Sequence, residues 1–292
     1  MSNTAKVAET GGGWSARLSL RFEPRDVAGA TRTVMTERSH FGPLRILKPL
    51  YPEGHAICHG VIVHPPGGIV AGDSLAVDVR VDEGANAVIT TPGAQKWYRS
   101  TGKLASAITR LQVADGASLE WMPQETIVFD GTSAQQSLEI ALATDAHFFG
   151  WEMLCLGRTT RGERFKTGDF RQRIRLVRAG TNAPLWRESM VIVGDDPLLS
   201  SPLGLRSMPV TATAWIAFPD GVSNTDRLLA DIRETLVDHA FAAASAPLPG
   251  LIVVKAVGAA PETVRNLLIA VWSKIRMQVF GRKPELPRIW ST

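Results

Sequence analysis

Val81-Asp82-Glu83-Gly84-Ala85, Val113-Ala114-Asp115-Gly116-Ala117 and Leu142-Ala143-Thr144-Asp145-Ala146 repeat one pattern, the end of a strand followed by a tight polar turn. Each is followed by a second strand-like run: Asn86 to Thr91, Ser118 to Met122 and His147 to Leu154. The unit recurs about every thirty residues, as strands stacked in layers do. Working outward, Trp14, Ala16, Leu18, Leu20 and Phe22 alternate with polar residues, as do Leu75, Val77, Val79 and Val81. Phe170, Gln172, Ile174 and Leu176 alternate with arginines in the same way. This period of two is that of half-buried strands. Turn clusters such as Pro65-Pro66-Gly67-Gly68 and Pro92-Gly93 separate the runs.

The C-terminal part changes period. Leu228, Leu229, Ile232, Leu236 and Val237 follow helical spacing after a cap-like Asn224-Thr225-Asp226. Val264, Leu267, Leu268, Val271, Trp272, Ile275 and Val279 form a second stripe between Pro261 and Gly281. Strand-like runs precede both, at Val210–Phe218 and Leu251–Val257. The expected fold is mainly β: stacked strand layers, β-helix-like or a layered sandwich, with two C-terminal α-helices. The expected organisation is a disordered tail over residues 1–13 and one domain over 14–292. In that domain a β body (about 14–200) carries a β-α-β-α portion (about 208–292).

The chain has 292 residues, a net charge of +4 and two cysteines. Cys58 and Cys155 sit in apolar runs and are expected to be buried free thiols. The N-terminus lacks the apolar core of a secretion signal, and runs such as LIVVKAV are too short to span a bilayer. A soluble cytoplasmic protein is expected, with no membrane association. Residues 158–178 are rich in arginine but poor in interleaved aromatics, which favours an acidic protein partner or a solvated face over nucleic acid.

His64-Pro65-Pro66-Gly67-Gly68-Ile69-Val70-Ala71-Gly72-Asp73 is a stiffened, glycine-rich turn, with neither a phosphate-loop lysine nor a helix after it. His55, Cys58, His59 and His64 are the one cluster with imidazole and thiolate donors, which suit late first-row metals. Strand parity puts Cys58 and His64 on one face and His59 on the other, and no zinc-site spacing is present. Carboxylates stand among apolar residues at Glu120, Glu125, Glu152 and Glu188. Outward alternation accounts for Glu120, whereas crowding around Glu152 and Glu188 suggests a wet internal path. No nucleophile elbow, zinc-protease or Walker motif occurs.

YPEGHAICHGVIVHPPGGIVAGDSL (51–75), TTPGAQKWYRS (90–100), LEWMPQETIVFDG (119–131), WEMLCLGR (151–158) and GRKPELPRIWST (281–292) together resemble the UreD family of urease accessory proteins. The resemblance implies a non-enzymatic scaffold that binds UreF and, through it, the GTPase UreG. It implies assembly on the urease apoprotein, with UreE as the indirect nickel donor. It implies no stably bound cofactor, only nickel(II) in transit through a water-filled passage. Matched position by position, Asp73, Gln95, Lys96, Glu125, Glu152 and Glu188 would line that passage, with Cys58, His59 and His64 as transient contacts. Pro65, Pro66, Gly67, Gly68, Gly72, Arg288 and Trp290 are motif positions. Ser74 stands where many relatives have an acidic residue. Two alternatives from other classes are a metal-dependent hydrolase built on His55, Cys58, His59 and His64, and a plain structural binding module.

Overall fold

The computed structural model describes residues 12–219 and 221–291. Residues 1–11 of the expected tail lie outside the described residues. The strands are β1 (Ser15–Val27), β2 (Ala30–Phe41), β3 (Arg45–Ile46), β4 (Cys58–Val63), β5 (Ser74–Val81), β6 (Asn86–Thr90), β7 (Gln95–Trp97) and β8 (Ala105–Val113). They continue as β9 (Ser118–Met122), β10 (Thr126–Val128), β11 (Thr132–Leu142), β12 (His147–Leu156), β13 (Gly168–Arg178), β14 (Pro184–Val193), β15 (Val210–Ala217), β16 (Ala242–Leu248) and β17 (Leu251–Gly258). The α-helices are α1 (Thr225–Thr235) and α2 (Pro261–Phe280).

The repeat seen in the sequence is the coil of the fold. β5, β8 and β11 lie parallel, side by side, and so do β6, β9 and β12. Each copy runs through a seven-stranded sheet, turns, and returns through a ten-stranded one. The turns stack too: Gly84 N–H donates to the Asp115 carbonyl at 3.4 Å and Gly116 N–H to that of Asp145 at 3.1 Å. Gly84 and Gly116 adopt φ of 72° and 62°, a left-handed conformation that a Cβ disfavours.

The first sheet has the order β14-β13-β11-β8-β5-β1-β2, and the main path of the second is β16-β17-β15-β12-β9-β6-β4-β3. One core lies between the sheets and includes Leu18, Phe22, Leu119, Leu138, Phe148 and Trp215. A second lies between the ten-stranded sheet and the helices, where Phe149, Trp151 and Met153 meet Ile232, Leu268 and Trp272. The second sheet is therefore covered on both faces. β11, covered on one face, alternates in burial along its length. β12, covered on both, is buried at all but its first residue.

The α2 stripe expected from sequence is buried throughout, and Gly281 closes the helix with φ of 64°. At α1, the Asn224 side chain accepts from Arg227 N–H at 2.9 Å. Replacing Asn224 by alanine is expected to cost about 1 kcal/mol, seen as a fall in Tm of about 2 °C in a thermal melt. An unchanged Tm would show that the cap is dispensable. One expectation fails locally and one strand is new. Val237 is 77% exposed, because the helix stops at Thr235. β16 was not anticipated: its sequence AAASAPL lacks strand formers, and pairing with β17 creates it.

Candidate functional site

Between the sheets the apolar filling is interrupted by a cavity of about 230 Å³. Its polar lining includes His64, Gln95, Gln124, Thr126, Gln136 and Glu152. The exposed Gly67, Pro92 and Gly93 border it, so its mouth lies beyond the C-terminal ends of β4 and β6.

Glu152 points from β12 into this space and is 6% exposed. It accepts from Gln136 Nε2 at 2.7 Å and from Trp121 Nε1 at 3.2 Å. Burial pushes its carboxyl up to about 7, and those two hydrogen bonds only partly oppose the shift. The polar groups continue sideways. Thr213 on β15 is the strand partner of Glu152, and Lys255 on β17 is the partner of Thr213. Glu188, reaching across from β14, accepts from Lys255 Nζ at 2.7 Å and from Thr213 Oγ1 at 3.5 Å. A polar row thus runs from the cavity to Lys255, whose side chain is half-exposed. On the facing sheet Gln136 pairs in register with Gln172. Gln136 Oε1, Gln172 Nε2, Trp215 Nε1 and both ring nitrogens of His64 are buried without a protein partner among the described residues. Buried polar atoms of this kind are normally met by water or an ion. Burial also lowers the His64 pKa more than Asp73 raises it, which favours the neutral, ligand-competent imidazole.

The other sequence-selected residues sit elsewhere. Asp73 holds a turn: its carboxylate accepts from Trp14 N–H at 2.8 Å and Val70 N–H at 3.0 Å. Lys96 alternates away from Gln95 and does not line the cavity. Glu125 faces α2, 3.5 Å from Arg265. Of the residues matched to the passage, the cavity gathers Gln95 and Glu152 and the polar row adds Glu188; Asp73, Lys96 and Glu125 are outside the lining, with Asp73 near enough to act on His64. Parity explains Lys96, since neighbouring residues of a strand face opposite ways, whereas Asp73 and Glu125 lie in connections just before β5 and β10.

The His/Cys cluster is dispersed as well. Cys58 is buried in the inter-sheet core with its thiol pushed up to about 11 by burial. His59 faces α2 and contacts Glu53 at 2.7 Å, and His55 lies against Tyr51 at 5.7 Å. Among the described residues no group of three or more His, Cys, Asp or Glu could hold a metal ion. The hydrolase alternative therefore lacks its site.

Glu120 corrects the sequence reading. It does point away from the inter-sheet core, but α2 covers that face and leaves Glu120 fully buried. Its carboxylate accepts from Arg276 Nε at 2.9 Å and Trp272 Nε1 at 2.5 Å. Arg276, also fully buried, reaches Glu53 at 2.7 Å. Arg276, Gln136, Gln172 and Thr213 were not singled out from sequence. Gln136 and Gln172 left a visible signal, a polar residue at an inward position of an alternating strand.

Residues 15–291 match the family described as UreD urease accessory protein. The chain belongs to the UreD family. It is 45% identical over 280 residues to the urease accessory protein UreD of Azoarcus sp. (strain BH72), covering 96% of this chain and 95% of that one. It is 41% identical over 279 residues to the protein of the same name from Dechloromonas aromatica (strain RCB), with the same coverage. In this UreD-family chain the HPPGG motif forms the loop at the cavity mouth. Pro65 and Pro66 are exposed, Gly67 and Gly72 adopt φ of 73° and 86°, and the Tyr98 ring packs where a side chain on Gly68 would stand. Ser74 opens β5, its N–H bonded to the Trp14 carbonyl at 2.8 Å. In the tail, Arg288 is exposed, and Trp290 Nε1 donates to Thr90 Oγ1 at 2.8 Å beside the Trp151 ring. No helix among the described residues is long and apolar enough to cross a membrane.

Proposed function

We propose that this UreD-family chain is a non-enzymatic, cytoplasmic scaffold for urease maturation. It assembles with UreF, with GTP-bound UreG and with the urease apoprotein, and UreE supplies nickel to UreG. Nickel(II) is its cargo and is not a resident cofactor, and the cavity between the sheets is part of the route. The observation that carries this reading is Glu152, a carboxylate buried in a cavity without a cationic partner among the described residues. It begins a polar row that leads toward solvent through Thr213 and Glu188. Oxygen and imidazole donors suit nickel(II), and spaced donors ease its movement where a closed cage would trap it. With its pKa near neutrality, Glu152 can release its proton to water as a cation arrives and take one back from water as the cation leaves.

Complementation tests the reading. In urease-producing cells stripped of their own UreD-type protein, this chain is expected to restore urease activity at limiting nickel and to co-purify with UreF and UreG. Activity no higher than with empty vector, despite soluble expression, would overturn it.

A further inference from the structure

The outer face of the first sheet is solvent-facing, and at its β13–β14 end four arginines outnumber the carboxylates Asp169 and Glu139, the latter being the β11 partner of Arg175 and paired with Arg110. Arg171 and Arg173 project from β13 and are exposed, and Arg175 is half-buried beside them. Arg187 on β14 is the direct strand partner of Arg175. Like charges facing each other across a strand pair oppose folding. Arg171 has Asp169 at 3.4 Å, whereas Arg173, Arg175 and Arg187 have no ion pair or side-chain hydrogen bond among the described residues. Protection of a free sheet edge can account for Arg187, which lies on the edge strand β14, but not for Arg171, Arg173 and Arg175, because β13 lies one strand in.

An apolar surface adjoins these arginines. Val191 and Val193 are the strand partners of Arg171 and Asp169, and they are 57% and 44% exposed. The chain then enters a loop that presents Leu198 at 59% and Leu203 at 96% exposure. Beside the loop lies a depression of about 490 Å³ in which Phe165, Leu199, Leu205 and Met208 stand among charged groups, Arg164 and Lys166 with Glu163, Asp195 and Asp196. Asp195, Arg206 and Ser207 around it hold positive φ, a strain that non-glycine residues adopt where surrounding contacts impose it.

We infer that this end of the sheet is a docking surface for an acidic protein segment, whose carboxylates meet Arg173 and Arg187 while an apolar side chain enters the depression and the exposed Leu203 of the adjoining loop packs against the same partner. The mixed charges of the depression require the entering side chain to be apolar, while the carboxylates of its segment stay out on the arginines of the sheet. Charge complementarity selects the occupant. A guanidinium fork engages carboxylates in paired hydrogen bonds, and an apolar centre flanked by arginine is the anatomy of a protein interface. A nucleic acid would match the charge but leave the aliphatic centre wet, and no aromatic side chain projects among the arginines of β13 for bases to stack on. The inference uses the accessory-protein reading only to choose probes.

The test compares the full chain with Arg173→Glu/Arg187→Glu, Arg173→Lys/Arg187→Lys and Leu203→Asp. Each is titrated separately with purified UreF, purified urease apoprotein and a short DNA duplex at low and physiological salt. Affinity for one of the two proteins is expected to fall about tenfold or more with the glutamate pair, to fall with Leu203→Asp, and to be largely kept with the lysine pair. The salt dependence of that association disappears with the glutamate pair. Both protein affinities staying within about twofold of the parent would overturn the inference, as would an effect confined to DNA. If the glutamate pair fails to fold, Leu203→Asp decides alone by the same criterion. Wild-type complementation that succeeds while these affinities stay unchanged counts against the surface only, whereas its failure counts against the nickel-scaffold reading.

Discussion

Arg276→Met is expected to destabilise the chain by about 3–5 kcal/mol, because it leaves buried carboxylates without their cation. Arg276 is fully buried and joins Glu53 on the β3–β4 connection to Glu120 on β9. Arg282, 3.7 Å from Glu120, and His59, 2.7 Å from Glu53, stay in place, but neither bridges the two carboxylates as Arg276 does. A thermal melt should show Tm lower by roughly 10 °C. Adding Glu120→Gln keeps an acceptor for Trp272 while removing one stranded charge, so the double variant should recover part of the loss. The pH response provides a second check. Burial would raise the Glu53 pKa, but hydrogen bonds from His59 and Arg276 override it and hold the carboxyl down to about 2. A carboxylate with a depressed folded pKa stabilises the fold above its unfolded value and loses that contribution as pH falls toward the folded one. The parent should therefore lose stability from about pH 4.5 to 2, and Arg276→Met should lose less over that window. A variant that melts with the parent would show that the cluster holds nothing together.

Glu152→Gln should cut urease activation at limiting nickel about tenfold, the factor produced by losing ~1.4 kcal/mol of cation stabilisation along the route. The substitution keeps the shape and removes the charge, so binding to UreF should be unchanged. Excess nickel should restore activation. Stability should report the same group independently. Its folded pKa of about 7 lies above the unfolded value of 4.5, so the native state holds the extra proton between them and the parent loses stability as pH rises through that window. The glutamine variant should gain on the parent by a difference of the order of 3 kcal/mol between pH 4.5 and 7, and none beyond. Normal activation at limiting nickel, with this pH behaviour present, would favour a plain binding module without a nickel route.

The first sheet was legible because it faces water on one side. Leu18, Val79 and Phe170 alternate with polar residues, and that alternation survives in the sequence. The second sheet was less so, since β12 is buried on both faces and its sequence reads as one apolar run. Glu120 and Glu152 show the consequence. Both stand in apolar strands; alternation and crowding separated the outward Glu120 from the inward Glu152, but nothing local showed that α2 would cover the first. Gln136 and Gln172 were the clearest missed signal, polar residues at inward positions that mark the interior as wet. Asp73 is a conspicuous motif aspartate whose oxygens accept from the backbone N–H groups of Trp14 and Val70, a turn-holding role that the motif alone did not reveal.

Sequence alone settled the strand–turn–strand period, the Asn224 and Gly281 caps and, through motifs spread along the chain, the family resemblance, because turns and caps depend on residues near one another and motifs are read directly. Only the folded molecule decided which faces were covered, which carboxylates acquired a cation and which were left in the cavity. Those outcomes depend on what packs over a strand from far away in sequence: α2 over Glu120 from more than a hundred residues downstream, and the first sheet over Glu152 through Gln136. Burial and charge pairing are set by three-dimensional neighbours, and no periodicity of a single strand encodes them.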